Sequence, residues 1–86
     1  MKKHDKILLD ILFYKKDKGI KFDDLCFLLE SLGFNKRIKG DHHIYYIDGV
    51  TEIINIQPNK NMAKPYQVKQ VRNIILKYSI GGITNE

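Results

Sequence analysis

The hydrophobic period of this chain changes at Gly33, and that change decides what the chain can fold into. Before Gly33, Leu25, Leu28, Leu29 and Leu32 recur at helical spacing, with Phe22 and Cys26 at the margin of the stripe and Glu30 and Ser31 pointing away. The spacing predicts an amphipathic helix from about Phe22 to Leu32, opened by Asp23 and Asp24 in its first turn and ended by Gly33. After Gly33 the pattern alternates, so that Phe34, Lys36 and Ile38 share one strand face and Asn35, Arg37 and Lys39 share the other. Gly40 interrupts this strand. His42 to Ile47 is a second run rich in β-branched and aromatic residues, Asp48-Gly49 signals a two-residue hairpin loop, and Val50 to Gln57 is expected to return as the third strand.

A two-residue loop at Asp48-Gly49 fixes the register, with Ile47 opposite Val50 and His42 opposite Asn55. One face then carries His43, Tyr45, Ile47, Val50, Glu52, Ile54 and Ile56, and the other carries His42, Ile44, Tyr46, Thr51, Ile53, Asn55 and Gln57. The first face is the more apolar and belongs against the helices. His43 is therefore the packing histidine, and His42 is expected on the open face.

Further helices flank this unit. From about Lys6 to Lys16, Ile7, Leu8, Ile11 and Leu12 recur at helical spacing while Asp10, Lys15 and Lys16 fall on the other side, and Gly19 supplies a terminating residue. Gln57 to Lys64 reads as a polar connection without period. Pro65 suits the first position of a helix that runs to about Tyr78, burying Val68, Val71, Ile74, Ile75 and Tyr78, exposing Lys69, Asn73 and Lys77, and carrying Arg72 toward its edge. Residues 81–86 form a tail. The 86 residues, 43% of them hydrophobic, suffice for a single domain and one core. The order α-α-β-β-β-α implies an α+β sandwich, a three-stranded antiparallel sheet with helices on one face. Cys26, the sole cysteine, has no partner for an internal disulfide and sits among Leu25, Phe27, Leu28 and Leu29 as a buried thiol. No apolar run reaches the ~20 residues that span a bilayer, so no membrane association and a cytoplasmic location are expected.

The span from Lys36 to Gly49 collects a basic run, a glycine and paired histidines. Histidine takes or gives a proton near neutral pH, and lysine and arginine hold phosphate beside it, a combination that suits phosphodiester chemistry on RNA. Fifteen Lys+Arg against ten Asp+Glu give a formal net charge of +5, which favours a polyanionic partner. No carboxylate and histidine cluster has metal-ligand spacing, and His42 and His43, as neighbours in a strand, point to opposite faces. Neither a metal nor another cofactor is expected.

Several segments together carry a resemblance. They are Leu28-Leu29-Glu30-Ser31-Leu32-Gly33-Phe34, Arg37-Ile38-Lys39-Gly40, His42-His43-Ile44-Tyr45, Asp48-Gly49, Ile54-Asn55-Ile56-Gln57-Pro58, and Lys64-Pro65 leading into Val68-Lys69-Gln70-Val71. From about Phe22 to Ile80 the chain resembles the HicA (YcfA-like) toxins of bacterial type II toxin–antitoxin systems, small ribonucleases that cleave messenger RNA. The resemblance implies a fold like that of double-stranded-RNA-binding domains, with residues 6–16 as an added N-terminal helix. It also implies a metal-independent endoribonuclease whose partners are mRNA and a HicB-like antitoxin. The family's catalytic histidine usually follows Gly-Ser, and that position falls on His42, with Asp41 in place of the serine. A carboxylate there can pair with the protonated ring or repel an approaching phosphate, so Asp41 is a candidate modulator. Arg37, Lys39, Gly40, Lys60 and Lys64 are the candidate RNA-binding residues, with Arg37 or Lys39 stabilising phosphoryl charge while His42 moves protons. The alternative is a non-catalytic RNA-binding module of the same fold, with Asp41 marking lost activity.

Overall fold

The computed structural model describes residues 3–82, and the expected tail residues 83–86 lie outside them. The leucine stripe forms helix α2, Phe22–Ser31, with Phe22, Leu25, Cys26, Leu28 and Leu29 buried. Its end is fastened by backbone geometry. The Gly33 N–H donates to Glu30 O and the Phe34 N–H to Leu29 O, both at 3.1 Å, which is the bond pair of a Schellman motif. Phe34 and Leu29 are both buried, so the exit from the helix is also a packing contact.

Three antiparallel strands follow, β1 (Asn35–Lys39), β2 (His42–Tyr46) and β3 (Ile54–Ile56), in the spatial order β1-β2-β3. The tight loop lies earlier than the sequence signals suggest. Lys39 pairs with His42, leaving Gly40-Asp41 as the two-residue connection. Gly40 has φ +63° and Asp41 is not among the residues of positive φ, the pattern of a type II′ turn, whose twist matches that of paired strands. At Asp48-Gly49 the Val50 N–H donates to Ile47 O at 3.2 Å, so a turn does form there. Its positive φ, +88°, is at Gly49 alone, as in an unprimed type II turn, and such turns splay the strands they join. Pairing resumes only at Ile54, so the third strand is shorter than the expected Val50 to Gln57.

The register therefore differs from the expected one by two residues. Ile44, not His42, stands opposite Asn55, with His43 opposite Ile56 and Tyr45 opposite Ile54. A slip of two keeps every side chain on its face, and the expected division of faces holds for the paired residues. Tyr45, Ile54 and Ile56 are fully buried against the helices, while His42, Tyr46 and Asn55 are exposed. Thr51 departs from it. Its Oγ1 lies 3.0 Å from the Tyr78 hydroxyl, at the end of the last helix, because residues 51–53 have left the ladder.

The N-terminal helix lies about three residues earlier than expected and widens along its length. Helix α1, Lys3–Leu8, passes into a π-helical turn over Leu9–Phe13, and Lys15, at φ +51°, takes the terminating conformation expected of Gly19. Ile7, Ile11 and Leu12 are buried as the stripe requires. Helix α3 spans Pro65–Lys77 with Val68, Val71, Ile74 and Ile75 buried and Pro65 in its first turn. Arg72 is not at an exposed edge. It is buried, donating from Nη1 to Asp17 Oδ1 at 2.7 Å and to Ile11 O at 3.3 Å, and so ties α3 to the end of the π-helical turn. The polar connection also has structure. Asn59 and Met62 exchange backbone bonds of 3.0 Å around Lys60-Asn61, and Asn61 O and the Ala63 N–H bond to Phe22 and Ile20. Among the described residues no helix is long and apolar enough to cross a membrane.

Glu52, half-buried beside α3, accepts hydrogen bonds from the Tyr78 hydroxyl, from Lys77 Nζ at 2.9 Å and from Thr51 Oγ1 at 3.0 Å. The Tyr78 and Lys77 bonds hold its carboxyl well below the ordinary value of 4.5, at about 2. A depressed carboxyl stabilises the fold above its unfolded pKa and loses that contribution as pH falls through its folded value. The melting temperature should therefore fall from pH 4.5 toward pH 2, and Glu52→Gln should be less stable at pH 6 with a flatter acid profile. Equal acid profiles for parent and variant would remove Glu52 as the fastening of residues 51–53 to α3.

Candidate functional site

The open face of the sheet is a small grid. On the observed register Lys39 neighbours His42, and Arg37 neighbours Ile44 and then Asn55. Asn35 neighbours Tyr46. Continuing the β2–β3 register by one pair past Ile56 sets Gln57 beside His42, and Ile53, outside the ladder, lines one groove with Tyr46. One end of the face is thus polar and basic, and the other is apolar and aromatic.

At the polar end, His42 Nδ1 lies 3.1 Å from Asn55 Oδ1. This is a diagonal contact across the β2–β3 pair, made possible because the two-residue shift moves Asn55 from directly opposite His42 to one step along the same face. An amide oxygen only accepts, so the bond assigns the ring proton to Nδ1 and leaves Nε2 of the neutral ring with a lone pair for a proton. Asp41 Oδ1 stands 3.9 Å from Nε2, too far for a hydrogen bond but close enough to pair with the ring once Nε2 is protonated. Gln57 Nε2 donates to the other oxygen of Asp41 at 2.8 Å. That bond, with the charges of His42 and Lys64, holds the Asp41 carboxyl below its ordinary range. His42, Asp41, Asn55 and Gln57 therefore form one hydrogen-bonded and charged group, with Lys39 paired to His42 on the same face.

The remaining candidates divide. Arg37 and Lys39 lie on this face and make no ion pair with a described carboxylate. Lys64 is the N-cap residue of α3, near enough to act on Asp41. Lys60 is elsewhere in the connection, at φ +52° in the turn between Asn59 and Met62, which is paired to Lys21 rather than to the sheet face. Gly40 has nothing within 4 Å of the place a Cβ would occupy, so its role is the backbone of the turn that presents His42. Sequence reasoning put Asn55 and Gln57 on the right face but gave them no part in the site. Their alternation with Ile54 and Ile56 was the available signal. Among the described residues no group of three or more His, Cys, Asp or Glu is arranged to hold a metal ion.

His43 is the opposite case. It is half-buried, its ring meets Phe22 edge-on with centroids 4.9 Å apart, and its Nδ1 is buried without a hydrogen-bond partner among the described residues. The two histidines should accordingly separate in stability. His42→Ala should cost less than about 0.5 kcal/mol, and His43→Ala about 1–3 kcal/mol from the lost ring contact. Denaturant unfolding of both variants measures this, and the reverse order would mean that the faces are exchanged. No protein-family model matches this chain, and neither a curated protein nor a solved structure matches it at a significant level.

Proposed function

We propose that this chain is a metal-independent endoribonuclease of the HicA kind, the toxin of a type II toxin–antitoxin pair, acting in the cytoplasm on mRNA and held in check by a HicB-like antitoxin. Its α-β-β-β-α core would then belong with the double-stranded-RNA-binding-domain fold, the first helix being an addition. The observation that carries the reading is the His42 ring, exposed on the open face, oriented through Nδ1 by Asn55, and flanked by the Lys39 cation. A general base needs an available lone pair and a fixed direction, and phosphodiester cleavage needs positive charge at the phosphoryl oxygens.

In the reaction this supports, His42 Nε2 removes the proton of a ribose 2′-hydroxyl as that oxygen attacks the adjacent phosphorus. The P–O5′ bond breaks, the leaving oxygen takes a proton from the imidazolium or from water, and a 2′,3′-cyclic phosphate remains. Lys39 and Arg37 stabilise the charge on the phosphoryl oxygens. Asp41 can draw toward itself the proton that Nε2 acquires, but its negative charge also opposes the phosphate. That second effect favours the rival reading, an RNA-binding module without activity.

Incubation of the pure protein with labelled RNA in excess chelator separates the two. Cleavage with cyclic-phosphate ends is expected, and His42→Ala should lower it by about 10²–10⁴-fold, the usual worth of a general base. Asp41→Ser should cleave at least as fast as the parent. RNA affinity should fall with salt at a log–log slope of about −2 if Arg37, Lys39 and Lys64 each neutralise a phosphate of a single strand, and of about −3 if Lys60, which lies away from the sheet face, also reaches one. Binding without cleavage, unchanged in His42→Ala, would establish the non-catalytic module instead.

A further inference from the structure

The apolar end of the open face is not explained by His42 chemistry. Tyr46 is 43% exposed and Ile53 62% exposed, and with half-buried Ile44 they line a groove of about 540 Å³ that also receives Arg37 and Asp48. The open side of an antiparallel sheet ordinarily carries polar residues, so exposed aromatic and branched side chains side by side there imply something that covers them.

Charge narrows the choice of occupant. Arg37 makes no ion pair with a described carboxylate and is available to a phosphate or to a π-face. Asp48, which lines the same groove, repels phosphate and accepts N–H donors. A groove that holds both a cation and a carboxylate disfavours a bare anion and favours a flat ring bearing N–H groups. The groove is also aligned with the His42 group. Along β2 the step from His42 to Ile44 is about 7 Å and from His42 to Tyr46 about 13 Å, the scale on which a nucleotide strand places a base relative to a neighbouring phosphate.

Taking the ribonuclease reading as its basis, we propose that the Ile44–Tyr46–Ile53 corner, walled by Arg37, seats an unpaired base of the RNA strand whose phosphate lies at His42. The substrate at the cleavage point is then single-stranded. A base within a duplex has its faces covered by its neighbours and cannot lie on Tyr46.

The test uses a fluorescent 2′-O-methyl RNA oligomer, which lacks the attacking hydroxyl, the same oligomer annealed to its complement, and inorganic polyphosphate as a polyanion without bases. Tyr46→Ala should weaken binding of the single strand roughly five- to hundredfold, the worth of one stacked base, and change polyphosphate binding less than twofold. Tyr46→Phe should rescue the affinity. The chain has no tryptophan, so Tyr46→Trp supplies a unique fluorophore, which the single strand, unlabelled for this measurement, should quench and polyphosphate and duplex should not. Tight single-strand binding that Tyr46→Ala leaves unchanged, or a bound oligomer that leaves the indole of the Tyr46→Trp variant unquenched, overturns the base seat while the ribonuclease reading stands. A parent that neither binds nor cleaves RNA overturns both. A parent dimer in sedimentation velocity that Tyr46→Ala dissolves, with oligomer affinity unaltered, assigns the groove to a second copy of the chain. A copurifying protein lost in Tyr46→Ala, again with unaltered oligomer affinity, assigns it to a protein partner.

Discussion

The Tyr45 phenol is where the sheet is fastened to its helices. The side chain is fully buried in the central strand, and its hydroxyl donates to Glu30 Oε2 at 2.9 Å. Glu30 lies at the solvent-facing edge of α2, where its carboxylate keeps its hydration and also meets Lys36 Nζ of β1 at 3.5 Å. One oxygen atom thus joins α2, β1 and β2 without burying a charge, which would otherwise carry a desolvation cost. Burial, with the bonds to Cys26 and Glu30, pushes the phenol far above its ordinary titration range, and burial raises the Cys26 thiol as well, so neither ionises near neutral pH. Because side chains alternate along a strand, seating Tyr45 inward also sends His42, Ile44 and Tyr46 outward. The orientation of His42 is decided by a tyrosine three positions away.

This is why much of the face assignment was legible in the sequence while the register was not. The apolar parity of Tyr45, Ile54 and Ile56 is a period-two signal visible to simple inspection, and it survives a two-residue slip. The register depends on which glycine makes the tight turn, and Gly40-Asp41 and Asp48-Gly49 differ in whether glycine comes first or second. Asp-Gly looked the stronger signal, but glycine in second place alone gave the turn that splays its strands. The helices were readable from their stripes and Gly33 from its place after the last leucine. Arg72 was not, since a long cation at the margin of an apolar stripe reads as surface, and only its meeting with Asp17, distant in sequence, shows otherwise.

The same turn bears on residue 41. The second central position of a type II′ turn accepts aspartate and serine alike, both being small turn-forming residues. Exchanging one for the other therefore alters the charge near His42 Nε2 while leaving the backbone that presents the ring in place. The turn fixes the site's shape, and its second residue sets the local potential independently.

The Arg72–Asp17 pair has a structural corollary. A guanidinium enclosed between α3 and the π-helical turn is tolerable because Asp17 and the Ile11 carbonyl meet it, and both acceptors come from the N-terminal segment. Without that segment, arginine at this position would be a desolvated and unanswered cation. The first helix and the identity of residue 72 are thus coupled, and a chain of this fold without that segment would need an apolar residue where Arg72 stands.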